Sequence, residues 1–339
     1  MSDIDDARLG AWLATTVPGF SALESVERFA GGQSNPTYRI AYDAGELVLR
    51  RKPFGTLLPS AHAIEREYRL LSALHPTGFP VPRPIKQCED SEVIGAPFYV
   101  MDMVAGRTFC NGALPDVSRS ERRPLYEAMI DTLARLHRLE PTHLGLEDFG
   151  KPGNYFTRQI GRWTRQYRAA QTDDIPEMES LIDWLPRTAP DQTSVAIIHG
   201  DYRIDNLIFD SHTPSVIAVL DWELATIGDP LADLTYFAMN WAMAADARAG
   251  LAGLDFAAEN IPSLQDIVAR YCAATDRARV PDLHWYFAYN LFRLVGIVQG
   301  VKKRLADGNA SSAEAESTAA RVAPLARAAW MEARLAGAQ

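Results

Sequence analysis

Apolar and polar residues alternate in short runs over the first part of the chain. Val26–Phe29, Thr37–Tyr42 and Glu46–Arg51 carry β-branched and aromatic residues, punctuated by Gly31-Gly32 and Asp43-Ala44-Gly45. That pattern predicts a three-stranded antiparallel meander. Ile64, Tyr68, Leu71 and Leu74 then recur at helical spacing within 61–74, and His75-Pro76 with Gly78 stops the run, so one helix follows. Two further strands are expected near Ile85–Cys88 and Pro97–Met103, and Val104-Ala105-Gly106 reads as a crossing segment. The division falls there, giving an N-terminal lobe over 1–104 and a C-terminal lobe over 105–339.

Beyond the crossing the apolar period lengthens. Met129, Leu133 and Leu136, with Leu125 or Tyr126, form a stripe within 123–138, the mark of an amphipathic helix. The exception to this helical character is 195–220, where Val195–His199, Leu207–Phe209 and Val216–Leu220 are short apolar runs parted by polar turns. The fold class is therefore α+β: an antiparallel β-sheet lobe with one helix, then a mostly α-helical lobe. No internal repeat is apparent, and the Ala/Ser/Glu stretch Asn309–Thr318 carries no functional signal.

Composition narrows the classes. The 339 residues include 47% hydrophobic ones and carry a formal net charge of -9. No run of lysines and arginines is long enough for a nucleic-acid footprint, and no apolar run approaches a bilayer's thickness, so neither partner is expected. Three scattered cysteines, Cys88, Cys110 and Cys272, build no disulfide framework. With an acidic rather than basic N-terminus, they point to a reducing, cytoplasmic setting.

The strongest chemical signal is His199-Gly200-Asp201-Tyr202-Arg203-Ile204-Asp205-Asn206, with Leu220-Asp221-Trp222-Glu223 after the next two apolar runs. Singly, these polar residues are ordinary turn formers and caps. In the order strand, Asp-x4-Asn loop, hairpin and terminal Asp they match what phosphoryl transfer needs. Asp201 is placed as the carboxylate that accepts a hydroxyl proton, and Asn206 and Asp221 as hard oxygen ligands for magnesium. His199 is given the task of holding the loop.

The His-Gly-Asp-x4-Asn loop and the following Leu-Asp-Trp-Glu resemble the aminoglycoside-phosphotransferase-like family. Phe98-Tyr99-Val100-Met101-Asp102, Asn154-Tyr155-Phe156-x-Arg158-Gln159 and Gly228-Asp229-Pro230-Leu231-Ala232-Asp233-Leu234 extend the resemblance over roughly 25–305. They point to the branch related to the kinase domains of acyl-CoA dehydrogenase fusion proteins. The resemblance implies a two-lobed protein-kinase-like fold, ATP or GTP as donor, Mg2+, and a small-molecule hydroxyl as acceptor. It makes Gly31, Gly32, Gln33, Ser34 and Asn35 the phosphate cradle of a nucleotide-binding N-terminal lobe. Arg50 stands where the family's third-strand lysine is expected, with Glu67 as its helix partner and Lys52 and Glu65 as the alternatives. Met101, Asp102 and Val104 become the hinge that meets the base. Asp229 is expected to cap the helix that follows, and Asp233 to tie the catalytic loop in place.

Acceptor choice is read from Tyr155–Ala170. Phe156, Ile160, Trp163 and Tyr167 fall on one helical face, and Arg158, Arg162 and Arg165 form another, with Arg168 close by. Such a basic face suits an anion better than a polycation, though a solvated helix face has the same appearance. Lys302-Lys303-Arg304 is what a helix C-terminus favours anyway. The run Trp285, Tyr286, Phe287, Tyr289 and Phe292 reads as core or as an acyl pocket. The branch implies a hydroxyacyl-CoA or hydroxy acid as acceptor. A kinase for aminoglycosides or choline, and a non-catalytic nucleotide-binding scaffold, remain the alternatives.

Overall fold

The computed structural model describes residues 4–29, 35–54, 63–151, 153–244, 249–308 and 313–339. In chain order the strands are β1 (Leu23–Arg28), β2 (Thr37–Tyr42), β3 (Gly45–Arg51), β4 (Pro84–Cys88), β5 (Phe98–Asp102), β6 (Ala196–Ile198), β7 (Leu207–Phe209), β8 (Val216–Val219) and β9 (Thr226–Gly228). The helices are α1 (Asp6–Thr16), α2 (Ile64–Leu74), α3 (Arg119–His137), α4 (Tyr155–Ala170), α5 (Pro176–Thr188), α6 (Leu231–Ala238), α7 (Phe256–Glu259), α8 (Leu264–Ala274), α9 (Leu283–Ala306), α10 (Ala313–Ala319) and α11 (Val322–Leu335). They form two compact units. The first holds Met1–Cys110, Pro141–Phe149 and Ile204–Ala225, and the second holds Asn111–Glu140, Gly150–Arg203 and Thr226–Gln339.

The first unit is built on a five-stranded antiparallel sheet in the order β1-β2-β3-β5-β4. Side chains alternate across a strand, and here the alternation separates core from site. Tyr38, Ile40, Leu47, Leu49, Phe98 and Val100 pack with Leu9 and Leu13 of α1 in one buried cluster. Thr37, Val48, Arg50, Tyr99 and Met101, one position out of phase, line a cavity together with Glu67 and Leu71 of α2. Besides the expected α2, this unit has α1, started by Asp5, whose carboxylate accepts from the Arg8 amide at 3.0 Å. Leu9 and Leu13 sit four apart and are fully buried, worth roughly 1.5–3 kcal/mol each.

The hairpin β7–β8 belongs to the same unit. The main chain of Arg107 pairs with Phe209 through two 2.8 Å bonds. Gly106 lies so close that a Cβ there would meet the Phe209 carbonyl oxygen at 2.4 Å, so the crossing segment needs a glycine.

The second unit is mostly helical, with one small antiparallel ladder, β6 on β9. The 24-residue α9 is buried along most of its length and packs against α4, α6, α10 and α11. Among the described residues no helix is long and apolar enough to cross a membrane.

Candidate active site

The cavity of the first unit has a volume of about 600 Å³, within the range of small-molecule and cofactor sites. Val48, Leu71, Met101, Ile208 and Val219 give it an apolar slot, and Met103, Val104 and Ala105 border it where β5 ends. The Asp102 amide donates to the Arg83 carbonyl at 3.0 Å. Its carboxylate takes two bonds from the Arg83 guanidinium, at 2.9 and 3.0 Å. Past Asp102 the chain leaves the sheet, and among the described residues no hydrogen bond engages the main chain of Met103 or Val104. The Asp102 side chain is thus committed to Arg83.

The other end of the cavity is charged. Arg50 projects from the cavity face of β3, its Nε 3.0 Å from Glu67 Oε2. Its Nη2 donates to Asp221 Oδ1 at 2.8 Å and lies 3.7 Å from Glu223 Oε2. Burial opposes the charge on Arg50, but Glu67, Tyr99 and Asp221 outweigh it and raise the guanidinium's pKa above its ordinary value. Burial pushes the Glu67 carboxyl up, and the charge of Arg50 only partly offsets this. Lys52 and Glu65 pair with each other at 3.0 Å on the outside, which leaves Glu67 to Arg50. Asp221 follows β8 with φ +61°, a left-handed conformation that aspartate tolerates better than most residues at some cost in strain.

Asn206 closes a 3-10 turn, Ile204–Asn206, and its carbonyl accepts from the Leu220 amide at 2.8 Å. The hairpin thereby brings Asn206 beside the residue preceding Asp221. Asn206 and Asp221 are the hard-oxygen side chains of this hairpin expected to serve magnesium, which takes one or two protein ligands and completes its shell with water and phosphate. Among the described residues no cluster of three or more His, Cys, Asp or Glu exists to bind a metal by itself.

The loop carrying Asp201 lies in the second unit and is fixed from several sides. Asp233, one turn into α6, accepts from the amides of His199 and Gly200 at 2.6 and 2.8 Å. Burial would raise its carboxyl, but His137, His199 and the Gly200 amide hold it below its ordinary value. His199 Nδ1 accepts from the Asp201 amide at 3.1 Å. Gly200 has φ +84°, which turns its amide toward Asp233 while its carbonyl accepts from Arg293. The expected tie by Asp233 and the holding role of His199 are both visible in these contacts. Asp229 accepts from the Leu231 amide at 2.9 Å at the start of α6.

Gly31, Gly32, Gln33 and Ser34 lie outside the described residues; Asn35 is buried, its carbonyl accepting from the Thr37 hydroxyl at 3.1 Å. On α4, Phe156, Ile160, Trp163 and Tyr167 are buried. Arg158 donates to the Lys151 carbonyl, Arg162 lies 5.3 Å from the Trp163 ring, and Arg165 is exposed. Arg168 is committed to Glu179. Lys302 and Lys303 pair with Asp173 and Asp307. Trp285, Tyr286 and Tyr289 pack edge-on around Phe156, with centroids 5.1–5.3 Å away, and belong to the core.

Two contacts had no sequence signal. The Tyr236 hydroxyl donates to Asp201 Oδ1 at 2.7 Å, and the Arg293 guanidinium lies 4.9 Å from the Tyr236 ring centre. Burial, and then the charge of Asp201, push the Tyr236 phenol well up, so it stays a hydrogen-bond donor. Both residues sit in apolar helical runs, where a tyrosine or arginine reads as core or as a stem.

Known proteins are similar to this chain in sequence and fold. The chain is 43% identical over 305 residues to mouse (Mus musculus) acyl-CoA dehydrogenase family member 10, covering 89% of this chain and 28% of that protein. It is 42% identical over 332 residues to chicken (Gallus gallus) acyl-CoA dehydrogenase family member 11, covering 95% of this chain and 42% of that one. It thus spans less than half the length of these relatives. A crystal structure of a candidate aminoglycoside phosphotransferase from Ralstonia eutropha superposes with a TM-score of 0.88 at 44% identity, covering 98% of each chain. A ternary complex of the phosphotransferase APH(4)-Ia with ADP and hygromycin B shares only the fold, with a TM-score of 0.61 at 14% identity over 95% of this chain and 97% of that one. The fold is accordingly the kinase-like one, an antiparallel sheet unit and a helical unit. Because residues 25–279 match the family pattern described as the phosphotransferase enzyme family, more than half of the sequence, the chain belongs to that family.

Proposed function

We propose that the chain moves the γ-phosphoryl group of ATP to a hydroxyl of a small anionic molecule, a hydroxyacyl-CoA or a hydroxy acid. The observation that carries this reading is the first unit's cavity, an apolar slot beside uncommitted main-chain groups at Met103 and Val104, ending in Arg50, Glu67 and Asp221. An apolar slot of this size suits a purine, and the Arg50 end suits phosphate oxygens. The ADP complex of the distant phosphotransferase supports a nucleotide in the corresponding fold.

In this reading Arg50, oriented by Glu67, addresses phosphate oxygens with a fixed fork of donors. Asn206 and Asp221 would hold Mg2+, which when bound would neutralise charge on the phosphates. Asp201 takes the acceptor's proton as the hydroxyl oxygen bonds to the γ-phosphorus and the bond to the nucleoside diphosphate breaks. The scaffold alternative rested on the missing lysine, and the pairing of Arg50 with Glu67 and Asp221 speaks for a working substitute. The relatives' names, together with the exposed Arg162 and Arg165, favour an acyl-CoA acceptor over a polycation.

The test is nucleotide consumption, with ATP and with GTP, against hydroxy acids, their CoA thioesters, aminoglycosides and amino alcohols. Phosphorylated thioester or acid, with ATP preferred and the product lost in Asp201→Asn, is the expected result. Turnover confined to aminoglycosides or amino alcohols would refute the acceptor class, and no turnover with any of them would refute the reading.

A further inference from the structure

We infer that Tyr236 is a positioning residue for the general base: its hydroxyl fixes the plane of the Asp201 carboxylate. The inference rests on the phosphotransfer reading above. Tyr236 lies one turn beyond the loop-holding Asp233 on α6, and its hydroxyl meets Asp201 Oδ1 at 2.7 Å. The ring is itself held. Arg293 from α9 is buried, lies 4.9 Å from the Tyr236 ring centre and 5.5 Å from that of Trp163, and donates to the Gly200 carbonyl.

The backbone of 199–201 is already fixed without Tyr236. Asp233 holds two of its amides, His199 holds the third and Arg293 holds a carbonyl. Those backbone contacts leave the torsions of the Asp201 side-chain bonds to side-chain contacts, of which the Tyr236 hydroxyl is one. A carboxylate χ2 is broad and roughly two-fold, so an anchored backbone does not by itself set which oxygen faces an incoming hydroxyl. A phenol hydrogen-bonded to Oδ1 does set it, and positioning within fractions of an ångström governs proton transfer in a reaction that is otherwise mostly alignment.

The experiment compares wild type, Asp201→Asn and Tyr236→Phe as full chains, with ATP and 3-hydroxybutyryl-CoA as the acceptor probe. Each protein also carries 13C-carboxyl aspartate, so that the Asp201 resonance is identified by its loss in Asp201→Asn. Phenylalanine keeps the ring under Arg293, and an unchanged melting temperature confirms folding. The expected result is kcat lowered about 10- to 100-fold in Tyr236→Phe, the scale of a hydrogen bond to a charged group, with KM for ATP unchanged and the Asp201 line displaced. An inactive Asp201→Asn beside a Tyr236→Phe of wild-type kcat overturns the inference. So does a fall in kcat with the Asp201 line unmoved, because that is a merely structural effect. Full activity in Asp201→Asn, or no turnover in wild type with 3-hydroxybutyryl-CoA and every other acceptor of the panel above, instead removes the phosphotransfer role of Asp201 on which the inference stands.

Discussion

Replacing Glu67 by Gln tests the charged end of the cavity most directly. Its side chain is 4% exposed and that of Arg50 12%, with 3.0 Å between Oε2 and Nε. Breaking a buried pair by removing one partner costs about 3–5 kcal/mol because the other charge is stranded. Arg50 is not wholly stranded, since Asp221 at 2.8 Å and Glu223 at 3.7 Å remain, with side chains 37% and 29% exposed. Their partial hydration makes them weaker partners than Glu67, which reduces the cost to about 2–3 kcal/mol. At roughly 2–4 °C per kcal/mol the melting temperature should fall by about 4–12 °C. Arg50→Met with Glu67→Leu removes both charges and both desolvation costs, so the double variant should regain most of the lost stability while losing ATP affinity. Thermal unfolding by circular dichroism and ATP titration by calorimetry read the two effects. A Glu67→Gln protein that melts with wild type, or a double variant no more stable than the single one, would refute the reasoning.

Two further outcomes follow from other contacts. Asp233→Asn should cost about 1–3 kcal/mol near neutral pH, because the one remaining carbonyl oxygen can serve only one of the His199 and Gly200 amides and the other meets an NH2 donor. The wild-type carboxyl is held below its ordinary value, so its stabilisation is complete above the ordinary carboxylate range and is lost as pH falls through the folded value. Urea unfolding should accordingly show the two proteins converging below about pH 4, and a gap that persists there would contradict the assignment. Arg162→Ala should raise KM for a CoA thioester several-fold and leave KM for ATP unchanged, whereas Arg168→Ala, which breaks a pair with Glu179, should change neither; equal effects of the two would remove α4 from acceptor recognition.

Much of the first unit was legible because its information is local. The meander follows from alternation, and the same alternation sorts Val48 and Arg50 from Leu47 and Leu49 once the register of β3 is known. The loop 199–206 and Asp221 stand out because several polar residues interrupt apolar runs at fixed spacing. The helix α1 escaped notice: Leu9 and Leu13 make only two buried turns, too short a stripe to rise above background. Strand β9 spans only Thr226–Gly228 and exists because β6 pairs with it, a long-range cause that no local window contains. Tyr236 and Arg293 were hidden for the same reason. Their partners, Asp201 and the Gly200 carbonyl, lie 35 and 93 residues away. On α4 the apolar face was legible but the state of each arginine was not, because Glu179, the partner of Arg168, belongs to the next helix.

The arginine in place of a lysine has a physical reason in the same cluster. Arg50 meets Glu67 through Nε and Asp221 through Nη2 at once, with Glu223 nearby. An ammonium is a single point charge, while a guanidinium spreads its donors over three nitrogens, so two of them can face two carboxylates at once. Phosphate oxygens brought beside Asp221 would place further negative charge next to a carboxylate, which a divalent cation relieves. On our reading, Asp221 would hold a divalent cation that arrives with the nucleotide, and Arg50, kept oriented by Glu67, would then offer its second nitrogen to phosphate.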